Sequence, residues 1–298
     1  MKYKVKKDYG RWLWVLPAIA LVICLFVYPL GSQVFYSFTN KTLIKPSYGI
    51  KGLSNYTAIL TDPDFWLALW TSVKWTVLSL LFQMLIGFTA ALALNSIKNK
   101  VERQVYRILL IIPGAFPTIA IAIIWKWLLN GSYGFVPTLL VQLGLADQLP
   151  QFLSTPELVM PTLVMVNVWF GFLLIMVNVL AALQTVSQDQ YEAAQIDGAR
   201  KWHMFWYITL PHIKNVIGLL VVLRTIWVFN SFDIIYMITG GGPANVSTTL
   251  PIYIYNLGWV NKFVGRSSAA AVILLIILLT ICTAYFCVLN RWEKEADA

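Results

Sequence analysis

The sequence predicts an all-α integral membrane protein with six transmembrane helices, and two observations support that fold class. The chain is 59% hydrophobic and only 12% charged, whereas soluble proteins carry about 25% charged residues. Six stretches also reach the roughly 20 apolar residues that a helix needs to cross a hydrocarbon core of about 30 Å. These stretches are residues 12–33, 65–94, 105–129, 159–183, 213–238 and 267–290.

Each of the six stretches fits a helix better than the alternatives. The first follows a basic tail, but its length and the lack of a small-x-small cleavage motif favour an uncleaved anchor over a signal peptide. The continuous apolar run at 269–279 in the last excludes a β-barrel, because barrel strands alternate over about ten residues. The three cysteines all lie within these stretches and imply neither a disulfide nor a metal framework.

Positive charge is distributed unequally between the two sides of the predicted membrane. Of the 22 Lys and Arg, fourteen lie in the N-terminal tail, after the second and fourth spans, and at the C-terminus. Five lie in the opposite segments, and Lys74, Lys126 and Arg224 lie in or near the spans. Basic residues accumulate on the cytoplasmic side of membrane proteins, so both termini are predicted to be cytoplasmic. No loop is long enough to build a basic nucleic-acid-binding face, so a nucleic-acid partner is not expected.

The connections between spans point to one cytoplasmic segment of interest. The predicted external segments at 34–64, 130–158 and 239–266 are rich in proline and glycine, which indicates turns and short caps. Residues 184–212 form the only sizeable polar connection on the cytoplasmic side. A protein that drives this chain from inside the cell would have to bind there.

The segment 184–212 has the start and stop signals of a short helix. Ser187 and Gln190 have capping-box spacing, and Gly198 is suited to ending the helix in the left-handed conformation. A second amphipathic segment, 201–209, then leads to Pro211, which suits the first turn of the fifth span. The residues alone leave two interpretations of this segment open, an ordinary surface loop and a docking element.

A family signature favours the docking element. The segment resembles the signature of binding-protein-dependent ABC permeases, with its Glu-Ala-Ala, Gly and Ile-x-Leu-Pro at the family's spacing. The matching positions and their neighbours are Glu192, Ala193, Ala194, Asp197, Gly198, Ala199, Ile208, Leu210 and Pro211. Further segments look like the maltose-type branch, which imports sugars and glycerol phosphate. These are Tyr28-Pro29-Leu30, Gly52-Leu53-Ser54-Asn55-Tyr56, Phe232-Asp233 and Thr239-Gly240-Gly241-Gly242-Pro243.

The resemblance implies a function and a set of partners. It implies a type I ABC importer permease fold, formed as one permease domain in the cell (inner, cytoplasmic) membrane among its lipids. Two cytoplasmic ATPase subunits, a second and distinct permease subunit, and an extracytoplasmic solute-binding protein would complete the importer. The substrate would be a carbohydrate, a di- or oligosaccharide. The chain has no phosphate-binding Gly-x₄-Gly-Lys-Ser/Thr motif, so ATP and Mg²⁺ would bind the ATPase. This chain is therefore expected to be a transport subunit without a cofactor, not an enzyme.

Polar residues inside two spans are candidates for a substrate pathway, because polar groups in a bilayer are costly. Asn167, Gly171 and Asn178 share one face of the fourth span, and Arg224 and Ser231 share one face of the fifth. With Phe170 and Trp227 nearby, these groups suit a sugar, which offers hydroxyl groups and apolar CH faces. The alternatives are that the amides only join helices, and that Arg224 pairs with a carboxylate or with carbonyls of a partner subunit.

Two other functional classes remain as alternatives. An ion-coupled secondary transporter would need membrane-buried acids, and Asp233 is the only acid deep in a predicted span. An integral-membrane enzyme would need a nucleophile and base or a metal-ligand cluster. His203 and His212 are the only histidines and have neither beside them, so no metal site is expected.

Overall fold

The computed structural model describes residues 10–45 and 47–296, and it is helical over most of that length. Within those residues the extended structure is limited to an isolated antiparallel bridge between Thr39 and Ile50. The basic tail at residues 2–7 and the last two residues lie outside the described residues. The cytoplasmic position of both termini therefore stays a prediction.

The helices follow one another with short connections. The first seven α-helices are α1 Gly10–Val22, α2 Tyr28–Ser37, α3 Ser54–Leu60, α4 Pro63–Ser96, α5 Lys100–Ile111, α6 Thr118–Leu128 and α7 Phe135–Gln142. The rest are α8 Pro156–Leu183, α9 Gln188–Ile196, α10 Lys201–Met204, α11 Leu210–Phe229, α12 Asp233–Thr239, α13 Leu250–Tyr255 and α14 Val264–Ala296. Single π-helical turns occupy Ile23–Val27, Phe205–Thr209 and Asn256–Val260, and a 3₁₀ turn occupies Ile112–Ala115.

Five helical stretches are long and apolar enough to cross a membrane. They are Val15–Ser37, Pro63–Ser96, Pro156–Leu183, Lys201–Thr239 and Val264–Cys287. A sixth crossing is possible only if the bent pair Lys100–Ala115 and Thr118–Leu128 counts as one span. The all-helical membrane fold class is confirmed.

The third predicted span, 105–129, is not a continuous helix, and the prediction was wrong in this respect. Its two halves meet at 91°. Pro113 lies in the 3₁₀ turn, and Pro117 has no N–H with which to continue a helix. Phe116, directly before Pro117, is extended with φ −92° and ψ 141°, as the residue before a proline usually is.

The fifth predicted span, 213–238, is also interrupted. Helix α11 ends at Phe229 and α12 begins at Asp233. Asn230 donates its side-chain Nδ2 to the Ile226 carbonyl at 3.1 Å, and such local bonds compete with helix continuation. Arg224 and Ser231 therefore do not share the face of one helix, and the helical-wheel argument that joined them was wrong.

The described residues form two compact units. One contains the chain up to Pro63 together with Ile254–Ile277. In it, Asn55 donates its Nδ2 to the carbonyls of Ser37 and Thr39, both at 2.8 Å, and so fixes the chain that follows α2. The backbone N–H groups of Leu43 and Gly265 bond the carbonyls of Lys262 and Lys41. These bonds pin the segment after α2 against the start of α14.

The other unit contains Asp64–Tyr253 together with the chain from Leu278 onward. Two apolar clusters form its core, one around Trp75, Leu163 and Ile235 and one around Ile175, Met176 and Ile213. The Trp75 indole donates to the Val228 carbonyl at 2.9 Å and so joins α4 to the end of α11. Both candidate functional regions lie in this unit.

Candidate functional site

A cavity of about 650 Å³ opens among α8, α11, the interruption after α11, and the bend between α5 and α6. All seven residues predicted for the substrate pathway line it. They are Asn167, Phe170, Gly171, Asn178, Arg224, Trp227 and Ser231. All seven residues therefore line the same cavity, whereas their contact with substrate remains a prediction.

Sequence reasoning missed several cavity residues because they lie at breaks in helices. Thr118 begins α6 directly after the bend, and Asn230, Phe232 and Asp233 lie at the interruption that follows α11. The sequence does contain signals for these helix breaks, namely the two prolines at 113 and 117 and the Asn-Ser pair at 230–231. Such breaks within apolar segments are tolerated where they line a cavity.

The exposed amides at the cavity each use one N–H donor locally. Asn178 Nδ2 donates to the Leu174 carbonyl at 2.7 Å, and Asn230 Nδ2 donates to the Ile226 carbonyl at 3.1 Å. An amide has two N–H donors and an acceptor oxygen, so each side chain retains one N–H and its carbonyl oxygen for bonds to another group. Trp227 is 54% exposed and offers an aromatic surface beside them.

A buried polar network crosses three helices at the cavity wall. Arg224 Nε and Nη2 both donate to Gln83 Oε1, at 3.0 and 2.6 Å. Gln83 Nε2 in turn donates to the backbone carbonyl of Asn167 at 3.0 Å. Within the described residues, Arg224 is therefore bound by a neutral amide of α4 and not by a carboxylate. Gln83 was missed because nothing local links two residues that lie 141 positions apart.

Gly171 makes this network possible. A Cβ at position 171 would overlap both the amide of Gln83 and the guanidinium of Arg224. The glycine was predicted as part of the pathway, and the structure places it under the network as a point of close approach. Asn167, one turn earlier on α8, is only 4% exposed, and its Nδ2 has no partner among the described residues.

The predicted docking helix is α9, and its end is built as the sequence indicated. Gly198 has φ +78°. Its N–H bonds the Gln195 carbonyl at 3.1 Å, and the Ala199 N–H bonds the Ala194 carbonyl at 2.9 Å. These two bonds are the Schellman motif. At the other end, Ser187 is the N-cap residue, but its side chain makes no capping bond, so the predicted capping box with Gln190 was wrong.

Most residues of α9 are exposed in this chain. Glu192, Ala193, Asp197 and Gly198 are exposed, while Ala194 and Ala199 are half-buried. Ile196, which was not among the residues predicted for docking, is 86% exposed. An apolar side chain this exposed beside small alanines is suited to a protein partner.

Tyr191 and Thr209 connect α9 to the start of α11. Their hydroxyl groups share a hydrogen bond of 2.8 Å. Thr209 ends the π-helical turn Phe205–Thr209 that precedes α11, whose second residue is Pro211. Ile208 and Leu210 on either side are half-buried. Thr185 Oγ1 and His212 Nε2 lie 3.1 Å apart and tie the end of α8 to the same place.

Comparisons with known proteins agree on one family. Residues 83–294 match the family described as binding-protein-dependent transport system inner membrane component. The trehalose/maltose transport system permease protein MalF of Thermococcus litoralis is 31% identical over 284 residues, covering 95% of each chain. The diacetylchitobiose uptake system permease protein DasB of Streptomyces coelicolor is 30% identical, covering 95% of this chain and 88% of the relative. A chain of a bacterial ABC transporter involved in the import of the acidic polysaccharide alginate superposes with a TM-score of 0.85 at 25% identity, over 96% and 97% of the two chains.

Proposed function

This chain belongs to the family of binding-protein-dependent transport system inner membrane components, and we propose that it carries a di- or oligosaccharide through the membrane. It is a multi-pass inner membrane permease of an ABC importer, a transport component without catalytic activity. Ion coupling, the alternative left open by the sequence, is set aside by this membership.

The cavity is the observation that carries the carbohydrate proposal. Its volume of about 650 Å³ lies within the range of about 300–1,000 Å³ typical of small-molecule sites. Amide oxygens at Asn178 and Asn230 can accept from sugar hydroxyls, and Phe170 and Trp227 can cover the apolar face of a sugar ring. The relatives support the same class, since trehalose, maltose, diacetylchitobiose and alginate are all built from two or more sugar units.

The same membership supports a proposal for the partners. A solute-binding protein outside the membrane would deliver the sugar, and two cytoplasmic ATPase subunits would supply ATP and Mg²⁺, so that this chain needs no cofactor of its own. We propose that α9 docks into the ATPase through Ala193, Ala194 and Ile196, and that a second, distinct permease subunit completes the cavity.

Reconstitution tests this proposal. The chain, the permease and ATPase subunits encoded beside it, and the binding protein would be placed in proteoliposomes with labelled di- and oligosaccharides. We expect uptake that needs internal ATP and persists when an uncoupler collapses the ion gradients. Uptake of amino acids but of no saccharide would contradict the proposed substrate class.

Two tryptophan variants test the role of the cavity. Trp227→Ala removes an aromatic surface from the cavity and should lower saccharide uptake at least tenfold. Trp169→Ala is the matched control, because Trp169 lies on the neighbouring apolar groove and packs against Trp125. Equal losses from both variants would indicate a general effect on folding and not a cavity role.

A further inference from the structure

We propose that α5 lies at the cytoplasmic surface of the membrane and binds the headgroups of anionic phospholipids. The helix covers Lys100–Ile111 and follows α4, the second candidate span, after a connection of three residues. The proposal goes beyond sugar transport, because it assigns a lipid partner to a helix whose exposed surface has no role in the proposed function.

The side chains of α5 are sorted onto two faces. At about 100° per residue, Lys100, Arg103 and Arg107 fall within about 60° of one another. The apolar side chains occupy a separate sector about 100° wide and are 50–73% exposed. They are Val101, Val105, Ile108 and Leu109. A helix with separate basic and apolar faces and low overall hydrophobicity is typical of the membrane interface.

The lengths of the neighbouring helices agree with this position. Helix α4 has 34 residues, or about 51 Å, which exceeds the roughly 40–45 Å of a bilayer with its headgroup regions. The end of α4 therefore reaches the headgroups, and α5 begins there. The 12 residues of α5 rise only about 18 Å, too little to cross a hydrocarbon core of about 30 Å. The stretch Lys100–Ala115, which contains α5, also meets α6 at 91°.

Contacts within the chain hold α5 in its helical form. Asn99 is the N-cap residue, and its Oδ1 accepts from the N–H groups of Val101 at 2.9 Å and Glu102 at 3.4 Å. Leu110 and Ile111, at the other end, pack against the apolar cluster around Met176. A helix of 12 residues is marginal in water by itself, so these contacts keep the two faces in place.

The composition of the exposed apolar face favours lipid over another helix as its occupant. Helices that pack together in membranes meet through small residues. Helix α4 follows this rule, because its buried face includes Ser72, Ser79 and Gly87. The exposed apolar face of α5 contains only valine, isoleucine and leucine. Such a face is suited to acyl chains.

The positive charges of this region are free to bind an anion. Lys98, in the connection before α5, adds a fourth basic side chain to the three on the helix, against the single acid Glu102. Among the described residues, none of these four basic side chains has an ion pair or a side-chain hydrogen bond. Basic clusters that directly follow a span on the cytoplasmic side attract anionic lipids. The phosphate of phosphatidylglycerol supplies the complementary charge.

A second segment of the chain indicates the same membrane surface. The rings of Phe205, in the turn before α11, and Phe88, near the end of α4, lie 6.1 Å apart between centroids. The loop that contains α9 therefore lies at the same end of α4 as α5 does. Close to Phe205, Trp202 and Trp206 are 67% and 46% exposed. Exposed tryptophans are enriched where a membrane meets water.

Photocrosslinking identifies what covers the apolar face. The substitution Val105→benzoylphenylalanine would be made in the complete importer, in vesicles of equal parts phosphatidylcholine and phosphatidylglycerol. We expect the main adduct to be a phospholipid. The matched control is Ile196→benzoylphenylalanine, on the exposed face of α9, which should label the ATPase and little lipid. A main adduct between position 105 and the second permease subunit would overturn the proposal.

The double variant Lys98→Gln and Lys100→Gln tests recognition of the headgroup. Both lysines are exposed, so the complex should melt as the wild type does. In the equal mixture, the probe at position 105 should label phosphatidylglycerol at least threefold more than phosphatidylcholine, and the double variant should label both equally. The control is Lys45→Gln with Lys51→Gln, two exposed lysines of a predicted external segment, which should keep the preference.

Two results would contradict headgroup recognition. One is equal labelling of the two lipids without the lysine substitutions, and the other is an equal loss of preference in both double variants. Neither readout depends on sugar uptake. If the importer carried no saccharide, the proposed substrate would be wrong, whereas the labelling from position 105 would still decide whether α5 binds anionic lipid.

Discussion

Replacing Gly198 with alanine tests the proposed docking of α9 to the ATPase through backbone conformation alone. Gly198 has φ +78°, and a Cβ built there meets no atom within 4 Å. The substitution therefore adds no steric clash, and its cost is that of placing an L-residue in the left-handed region, about 1–2 kcal/mol. A change of that size lowers the folded-to-unfolded ratio of the turn by a factor of about 5–30.

The consequence is measured at the proposed contact between α9 and the ATPase. With one cysteine at Ala194 and one on the ATPase surface that is proposed to contact α9, we expect ATP-dependent crosslinking and sugar uptake to fall several-fold in Gly198→Ala. Gly198→Asn should lose less, because asparagine tolerates the left-handed region better than alanine does. Gly198→Pro should abolish both signals, because its φ is fixed near −65°.

Gly144 provides a control with the same backbone geometry elsewhere. It has φ +68° and no atom within 4 Å of a built Cβ. Its N–H bonds the Val141 carbonyl and the Leu145 N–H bonds the Leu140 carbonyl, the same two bonds that end α9. Gly144→Ala therefore carries the same intrinsic cost in a predicted external loop, and we expect normal crosslinking and uptake. Equal loss from both alanine variants would refute the assignment of coupling to α9.

Three further predictions concern other contacts. Gly171→Ala should lower the melting temperature through overpacking of about 1–3 kcal/mol, whereas Gly114→Ala, whose Cβ would meet only the flexible end of a leucine at 3.0 Å, should change it little. Tyr191→Phe removes the bond to Thr209, about 0.5–1.5 kcal/mol, and should lower the sugar transported per ATP hydrolysed without altering α9 helicity; an unchanged ratio would contradict a coupling role. Asn55→Ala removes two buried bonds of 2.8 Å and should accelerate proteolysis of the segment after α2 while apolar packing in the larger unit persists.

The sequence was sufficient where the signal is local. Hydrophobic length predicted the helical membrane class, and Gly198 predicted the end of α9, because a left-handed residue at that position depends on only a few neighbours. It failed where two local signals competed. The apolar run at 105–129 hid the effect of Pro113 and Pro117, and the run at 213–238 hid the Asn-Ser pair that ends α11.

The pairing of Arg224 with Gln83 lay beyond the sequence for a different reason. A single glutamine in the 34-residue helix α4 carries no information about which helix it will face. That choice is made by the packing of α4, α8 and α11, and in particular by the space that Gly171 leaves open. The chemical candidates on the cavity wall could be named in advance, but their partners could not.

The two candidate regions are joined by one helix, and this suggests how the loop could act on the cavity. Thr209, bonded to Tyr191 of α9, directly precedes α11, and Arg224 lies fifteen residues further along the chain. At about 1.5 Å per residue that separation is about 22 Å, most of a hydrocarbon core of about 30 Å. A displacement of α9 would reach Arg224 through the axis of α11, with no relay of side chains between them. Because α11 ends at Phe229, the same displacement need not be passed on to α12, which packs against α6. In the proposed mechanism, α11 is the element that moves Arg224 at the cavity wall, and the interruption after it confines the movement to the part of the wall that α11 forms.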